Sequence, residues 1–328
     1  MTKSEAKTEG NEMGEIIELE SFFKTAKIDI EKRIRDSINA QEDGKKIRYF
    51  LKRGKRLRPI LTLLAFRACC GNEKDYEKAL ELAVAIELQH SASLVHDDIL
   101  DGDSKRRGNP SYHKMFGVED AILTGHRAIV LGFKNILDHD AEIIETLFDV
   151  WDRALIGETE DIESRSKNLR SLLNSEDGFY FDVILNKTAS LFAGATKLGS
   201  QEAKSPKYLQ SIFWEYGKYI GIAYQLADDS YDMNDGKIEL LPLSWIAKQI
   251  DAKTKESLVS LIEDDGLSPS DSLSKLNINA QSIFIKEIRR TQHLAERLAK
   301  NNKIPDSEFK PLLSAAPIFI IDKFMERG

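Results

Sequence analysis

Apolar positions recur at spacings of three and four residues along most of the chain, and strand-like alternation is almost absent from the sequence. This spacing predicts helices, because residues three and four apart share one helix face. The predicted helical stretches are 15–42, 57–70, 75–101, 118–137, 139–163, 179–199, 205–232, 239–262, 277–302 and 307–326. The polar segment 158–178 is expected to be a surface connection. The pattern therefore predicts an all-α protein.

The domain organisation follows from the same pattern. No linker rich in Pro, Gly or Ser divides the 328 residues, so we expect one helical domain over 15–328. The polar segment 1–14 carries mixed charge and is expected to be a disordered N-terminal tail. The most apolar stretches, 75–101 and 205–232, are expected to be the central helices of a large bundle.

Composition narrows the classes of partner. The net charge is -7, so no global basic field favours nucleic acid or an anionic membrane. No apolar run of the sequence approaches the length of a membrane span. Cys69 and Cys70 are adjacent in an apolar stretch, which is typical of reduced thiols rather than of a disulfide framework. We therefore expect a cytoplasmic protein with no membrane span and no nucleic-acid partner.

Two aspartate clusters of the form DDxxD end the two most apolar stretches. They are Asp97, Asp98 and Asp101, and Asp228, Asp229 and Asp232. Aspartates four apart project from one helix face and repel each other, unless a cation neutralises them. Mg²⁺ prefers carboxylate oxygens and shares its shell with phosphate, so two facing clusters would hold a diphosphate. One such cluster would more often be a solvated helix end, but acidic ends on two buried helices need a partner or a metal.

Basic residues are concentrated in two short segments. One is GKRLRP at 54–59, and the other is the pair Arg106 and Arg107, which closely follows the first aspartate cluster. Guanidinium groups bind phosphate through two hydrogen bonds and lysine adds a point charge. The two segments could therefore cradle a second diphosphate without metal. A solvated basic loop is the alternative for either segment alone.

These motifs together resemble the trans-isoprenyl diphosphate synthases of the polyprenyl synthetase family, and the likeness is to synthases of the geranylgeranyl diphosphate type. The matching segments are GKRLRP at 54–59, HSASLVHDDILDGDSKRRGNPSYH at 90–113, GETEDI at 157–162, KTASLF at 187–192 and GKYIGIAYQLADDSYD at 217–232. Five ordered motifs are specific evidence. The resemblance implies the isoprenoid synthase fold, a large helical bundle around a central cavity, and a homodimer.

The resemblance also implies the residues of the site. Catalysis is expected to depend on Asp97, Asp98, Asp101, Asp228 and Lys187. Three magnesium ions would hold the allylic diphosphate, with ligands drawn from Asp97, Asp98, Asp101, Asp228, Asp229 and Asp232. Further contacts to this diphosphate are implied for Arg106, Lys187, Thr188, Gln225 and Lys237. Isopentenyl diphosphate would lie on Lys55, Arg58, His90 and Arg107, without metal.

The activity implied is head-to-tail condensation of isopentenyl diphosphate with an allylic diphosphate. Cations would stabilise the charge on the departing diphosphate, and an apolar cavity would protect the carbocation from water. Ala92 and Ser93 are small, and in this family a bulky aromatic there stops chain growth early. The product is therefore expected to be geranylgeranyl diphosphate or longer. The alternative, that other helices form the cavity floor, has nearly equal weight.

Three other functions share part of this pattern. A class I terpene cyclase shares the first motif, but it would have an Asn/Ser/Glu-type second motif, and a calcium loop fails on spacing. A non-catalytic regulatory subunit of a heteromeric synthase is the rival, because His126 stands where the family commonly has an acid. His90 alone would be an ordinary core histidine, Lys187 a snorkelling lysine and Gln225 part of a hydrogen-bond network.

Overall fold

The computed structural model describes residues 3–39, 41, 43–176, 178–234 and 239–325. The helices are α1 Lys3–Asn39, α2 Gly44–Leu51, α3 Leu57–Ala68, α4 Tyr76–Leu100, α5 Tyr112–Phe116, α6 Val118–Lys134, α7 Ala141–Arg165, α8 Leu169–Leu173, α9 Phe179–Ile184, α10 Ser190–Glu202, α11 Lys207–Asn234, α12 Leu240–Ile246, α13 Ala252–Glu263, α14 Pro269–Lys275, α15 Ala280–Ala299 and α16 Phe309–Met325. In the described part of the chain, strand is confined to β1 (Lys105–Arg106) and its antiparallel partner β2 (Asn109–Pro110). The prediction of an all-α protein is confirmed.

Several segments differ from their predicted form. Residues 3–14, predicted to be part of a disordered tail, lie within α1. The predicted helix 239–262 is divided into α12 and α13 by the 3₁₀ turn Ala247–Gln249. The prediction of a surface connection over 158–178 is wrong for most of its length, because α7 continues to Arg165 and α8 follows.

The chain divides into two compact units. The first unit comprises Met1–Leu147, Ala195–Phe213 and Asn302–Leu313. The second comprises Phe148–Gly194, Trp214–Asn301 and Ser314–Gly328. Asp97, Asp98 and Asp101 belong to the first unit, whereas Asp228, Asp229 and Asp232 belong to the second. The single domain over 15–328 stays a prediction.

In the first unit, α4 is held in an apolar core. Ile30 of α1, Leu63 of α3, Leu88 of α4 and Ala128 of α6 are all fully buried in one cluster. A β-carbon on Gly132 of α6 would lie 3.0 Å from the backbone oxygen of Ala85, so α6 approaches α4 closely. Burial on this scale fixes the axis of α4, and therefore the position of the aspartates at its end.

In the second unit, a π-helical stretch, Leu185–Ala189, joins α9 to α10. A β-carbon on Gly157 of α7 would lie 2.2 Å from the backbone nitrogen of Lys187. One on Gly221 of α11 would lie 2.5 Å from the Ala189 α-carbon. Since two glycines let neighbouring helices touch this backbone directly, the stretch that carries Lys187 and Thr188 is tightly positioned. Such π segments recur at functional sites.

The sequence predicted that no segment spans a membrane. In the ranges that the structure describes, no helix combines the length and the apolar character needed to cross a bilayer.

Candidate functional site

The first aspartate cluster occupies the end of α4. Asp97 is half-buried and Asp98 is buried in the last turn, and Asp101 is the exposed C-cap residue. Gly102 follows with a φ of +71°, the left-handed conformation that ends many helices. The chain therefore leaves the helix immediately after the cluster.

A tight hairpin returns a basic side chain to this cluster. β1 and β2 pair Arg106 with Asn109, and Arg107 and Gly108 form the turn with positive φ angles. The Arg106 Nε donates a hydrogen bond to the Asp98 carboxylate. Burial raises the pKa of Asp98, and the Arg106 charge partly opposes that rise. The structure therefore brings Arg106 and Asp98 together, as their closeness in sequence suggested.

Two of the residues predicted to hold isopentenyl diphosphate, Arg58 and Arg107, place their charges near His90. Arg58 Nη1 lies 2.8 Å from His90 Nε2. Because arginine can only donate, His90 accepts at Nε2 and carries its hydrogen on Nδ1. Burial, followed by the charges of Arg58, Arg107, Arg106 and Arg56, lowers the pKa of His90 well below its usual value. His90 is therefore a neutral ring inside a cluster of guanidinium groups.

The remaining members of this predicted set are accessible. Lys55 lies half-buried in the loop between α2 and α3, and Arg107 is half-buried in the hairpin turn. Arg107 Nη1 donates to the Lys52 oxygen, 3.3 Å away, and Arg53 Nη1 donates to the Arg107 oxygen, 3.2 Å away. These reciprocal bonds join the hairpin to the loop that carries Lys55.

The second aspartate cluster has a different environment. Asp228 and Asp229 are half-buried in α11, and Asp232 is exposed. The Tyr180 hydroxyl donates to Asp229 Oδ2, and Gln225 Nε2 donates to Asp229 Oδ1, 2.9 Å away. Burial raises the pKa of Asp229 to about 7, against the effect of these two hydrogen bonds.

Gln225 connects this cluster to the π-helical stretch. The Thr188 hydroxyl donates to Gln225 Oε1 over 2.8 Å, and Gln225 in turn donates to Asp229. Three predicted site residues, Thr188, Gln225 and Asp229, are therefore brought into one hydrogen-bonded chain.

Lys187 is held by two carboxylates of α7. Its Nζ lies 2.6 Å from Asp161 Oδ2 and 2.9 Å from Glu158 Oε2. Burial would lower the pKa of Lys187, but the two carboxylates outweigh it and raise that pKa above its ordinary value. Arg165 also binds Asp161, 2.9 Å away. Lys187 is thus a permanent cation whose orientation is fixed by α7.

The two predicted floor residues differ in burial. Ala92 is fully buried in the core cluster that contains Leu88 and Ala128. Ser93 is half-buried, and its hydroxyl donates to the His90 oxygen over 2.8 Å. Of these two residues, Ser93 alone keeps some exposure.

Two further positions complete the comparison with the sequence. Lys237 lies outside the described residues. His126 is exposed on α6, its Nδ1 lies 2.8 Å from the Ile122 oxygen, and its ring centre lies 5.0 Å from that of His96.

Glu158, Asp161 and Tyr180 bond predicted site residues but were given no role from the sequence, and Arg56 and Glu87, which were also given none, bond each other. Glu87 carries a usable signal, because it interrupts the apolar run LAVAIEL at 82–88, and a carboxylate in such a run needs a partner. Tyr180 carries none, since it lies in a Phe-Tyr-Phe run typical of a core.

The donor set can be tested against magnesium. Asp97, Asp98 and Asp101 offer only carboxylate oxygens, which suit this ion. In the described ranges no three His, Cys, Asp or Glu side chains converge as a ready metal cage. Mg²⁺ ordinarily uses one or two carboxylates together with substrate phosphates and water, so the residues fit it without such a cage.

Comparison with known proteins gives the family and the fold. The model of the family described as polyprenyl synthetase matches residues 44–240. The solved decaprenyl diphosphate synthase from Rhodobacter capsulatus superposes with a TM-score of 0.80 and 21% identity, covering 94% of this chain and 99% of that chain. The predicted isoprenoid synthase fold is confirmed by this likeness.

Two curated relatives match over part of their length. A geranylfarnesyl diphosphate synthase of Methanosarcina mazei is 34% identical over 176 residues, or 54% of this chain and 57% of the relative. A geranylgeranyl pyrophosphate synthase of Geoglobus acetivorans is 34% identical over 199 residues, or 58% of this chain and 60% of the relative. The alignments therefore span less than two thirds of each relative.

Proposed function

Because the chain belongs to the polyprenyl synthetase family, we propose that it lengthens an allylic diphosphate by condensation with isopentenyl diphosphate. The observation that carries the proposal is that acidic and basic side chains lie together towards the C-terminal end of α4. Arg106 bonds Asp98 of the aspartate cluster, while Arg58 bonds His90 two turns earlier on the same helix. One helix end thereby combines carboxylates suited to a cation with guanidinium groups suited to a diphosphate.

Each proposed substrate has its own residues. Isopentenyl diphosphate binds Lys55, Arg58, His90 and Arg107, where the neutral His90 ring offers its Nδ1–H as a further donor. For the allylic diphosphate, magnesium, three ions in all, would be held by the aspartates of the two clusters, Asp97, Asp98 and Asp101, and Asp228, Asp229 and Asp232. Arg106, Lys187, Thr188, Gln225 and Lys237 complete the proposed binding of the allylic diphosphate. The hydrogen-bonded chain from Thr188 to Asp229 supports this grouping in the second unit.

In the proposed reaction, the bond between carbon and oxygen of the allylic diphosphate breaks, and the diphosphate leaves with the electron pair. Magnesium held by the aspartates would supply positive charge to stabilise this leaving group. The double bond of isopentenyl diphosphate attacks the allylic carbon, and the proton lost from the new cation passes to the released diphosphate. Arg106 and Lys187 contribute fixed positive charge, which requires no reorganisation during the reaction.

A product assay tests the proposal. Purified protein is incubated with Mg²⁺, radiolabelled isopentenyl diphosphate and each allylic primer in turn, and the dephosphorylated products are sized. We expect elongation by the wild type, and at least about a hundredfold loss in Asp97→Ala and Asp228→Ala. Asp149→Ala, at an exposed position of α7, is the matched control. Unchanged turnover in both site variants would refute the assignment.

The assay also separates the rival function. A wild-type protein that elongates no primer, yet alters the product length of a partner synthase, would indicate a regulatory subunit.

We propose that the product is geranylgeranyl diphosphate or longer. The half-buried Ser93, four residues before Asp97, supports this length because it leaves space where a bulky residue would block the growing chain. The length is measured in the same assay, and a farnesyl product as the main species would contradict it.

We propose a homodimer as the assembly. α6 exposes apolar side chains that a partner copy would cover, namely Val118, Ile122, Leu123 and Val130. Light scattering of the purified protein measures the mass, and a monomer at micromolar concentration would contradict this proposal.

A further inference from the structure

We infer that Arg56 is a positioning residue for the isopentenyl diphosphate site, an inference that rests on the proposed function. Its guanidinium does not bind the substrate. Instead it holds the segment 54–58, the end of the loop and the first residues of α3. Lys55 and Arg58, on either side of Arg56, can then present their charges to the diphosphate.

The contacts of Arg56 support a holding role. Its side chain is 2% exposed, and its Nη1 donates to Glu87 Oε1 over 2.6 Å. Nε donates to Glu31 Oε1 over 2.9 Å, and Nη2 donates to the Leu51 oxygen over 2.5 Å. One guanidinium thus ties the loop to α1, α2 and α4. Because its donors are directed at protein oxygens and water is excluded, no diphosphate can reach it.

The backbone at Arg56 needs this support. Its φ is 60°, a left-handed conformation that L-residues other than glycine, asparagine and aspartate rarely adopt. Arg56 is also the residue directly before α3, so its conformation sets where the helix begins. Such a conformation persists only when surrounding contacts over-determine it. The three contacts of the guanidinium supply that restraint. Because Arg58 lies in the first turn of α3, the start of the helix also sets the direction of the Arg58 side chain.

The Arg56 guanidinium also lies close to Arg107 in the hairpin turn. A β-carbon on Gly54 would lie 1.9 Å from Arg56 Nη1 and 3.2 Å from Arg107 Nη1. Glycine is therefore required at position 54, because any side chain would displace Arg56. Arg107 of the hairpin is thus within contact range of the loop that Arg56 holds.

Glu87 completes the arrangement. It is 3% exposed, and its Oε1 also accepts a hydrogen bond from the Ser91 hydroxyl over 3.0 Å. A buried carboxylate at this point offsets the charge of Arg56, so the loop can hold one more arginine beside Lys55, Arg58 and Arg107 without added repulsion.

Steady-state kinetics with both substrates test the inference. Arg56→Lys keeps the charge but cannot bond three separated acceptors at once. We expect the KM for isopentenyl diphosphate to rise about tenfold, while kcat and the KM for the allylic primer change by less than about threefold. A general loss of stability would instead lower the apparent kcat, through a smaller active fraction, and leave both KM values unchanged, and a merely passive Arg56 would change none of the three. Either of these results would overturn the inference.

A second variant removes the risk of misfolding. The double variant Arg56→Met with Glu87→Met replaces both buried charges by apolar groups, so that neither is left uncompensated. We expect a folded protein, by circular dichroism, with the same selective rise in the KM for isopentenyl diphosphate. An unchanged KM in this folded variant would also overturn the inference.

Controls separate this inference from the proposed function. Arg67→Lys changes another arginine of α3, one that binds Glu73 away from the loop, and should leave all kinetic constants unchanged. A wild type that elongates no primer would reject the proposed function itself. An active wild type with unaltered constants in both Arg56 variants would reject only the positioning role.

Discussion

The two aspartate clusters share the pattern DDxxD but are stabilised by different chemistry. In the first unit, the buried Asp98 is paired with a guanidinium, that of Arg106. In the second unit, Asp229 is bonded by two neutral donors, the Tyr180 hydroxyl and the Gln225 amide. Burial raises the pKa of both carboxyls, and at Asp229 it reaches about 7.

This difference shows that a motif determines which groups are present but not the charge state in which they are held. A carboxylate beside a guanidinium stays ionised through a local ion pair, whereas neutral donors stabilise charge less strongly. Asp229 therefore depends more on an added cation than Asp98. Lys187, the cation of the π-helical stretch that Thr188 and Gln225 connect to Asp229, is already bound to Glu158 and Asp161.

The largest expected effect distinguishes the two clusters by the same substitution. Asp98→Asn removes a proposed metal ligand and leaves Arg106 without its carboxylate, so we expect kcat to fall about a hundredfold. Asp229→Asn also removes a proposed metal ligand, but it leaves no unpaired charge because Tyr180 can still bond the amide oxygen, so we expect a fall of about tenfold. Steady-state turnover measures both. Asp103→Asn, in the exposed loop after the first cluster, is the control, and equal losses at Asp98 and Asp229 would remove the distinction.

The next effect concerns stability in the second unit. Lys187→Met leaves Asp161 and Glu158 facing each other, and we expect the free energy of unfolding to fall by about 2 kcal/mol, after allowing for partial exposure. Urea unfolding measures it. Adding Asp161→Asn should recover part of the loss, because one of the two repelling charges is gone. Lys253→Met, at an exposed lysine, is the control, and an equal loss there would contradict the explanation.

The helices that carry the clusters were predictable because their signals are local. The apolar spacing predicted 75–101 and 205–232, and the structure has α4 at Tyr76–Leu100 and α11 at Lys207–Asn234. Burial of one helix face needs only the identity of residues within a few turns. The closeness of Arg106 to Asp98 was equally predictable, because only eight positions separate the two residues.

The more distant contacts of the second unit were not predictable, because their members lie far apart in sequence. Tyr180 is 49 positions from Asp229, and Asp161 is 26 positions from Lys187. The error over 158–178 has the same origin. Its polar residues indicated a surface loop, whereas Asp161 is a buried residue of α7 neutralised by Lys187. Polarity predicts exposure only where no distant partner supplies the opposite charge.

The helices also differ below their aspartates. Four residues before Asp97 stands Ser93, whereas four residues before Asp228 stands Tyr224, whose ring packs on Phe192 with centres 5.3 Å apart. If small size on α4 leaves room for the growing chain, Ser93→Phe shortens the main product, as sizing of the products would show. An unchanged product distribution would indicate that other helices form the floor.

Ala92 provides the contrast for that experiment. Because its side chain is fully buried in the core of the first unit, Ala92→Phe should lower the free energy of unfolding by about 1–3 kcal/mol through overpacking. Ser93→Phe should cost less, since Ser93 is half-buried. Thermal unfolding of both variants measures this, and equal stability would contradict the difference in packing.

The smallest effect tests the neutral donor of the second cluster directly. Tyr180→Phe keeps the ring that stacks on Trp245, with centres 5.4 Å apart, and removes only the hydroxyl that bonds Asp229. We expect a loss of about 1 kcal/mol in the free energy of unfolding, as for one buried hydrogen bond. Urea unfolding measures it, and Tyr208→Phe on the exposed start of α11 should cause none. A loss as large as that of Lys187→Met would mean that the second cluster, like the first, depends on one dominant partner, and the contrast between charged and neutral support would no longer hold.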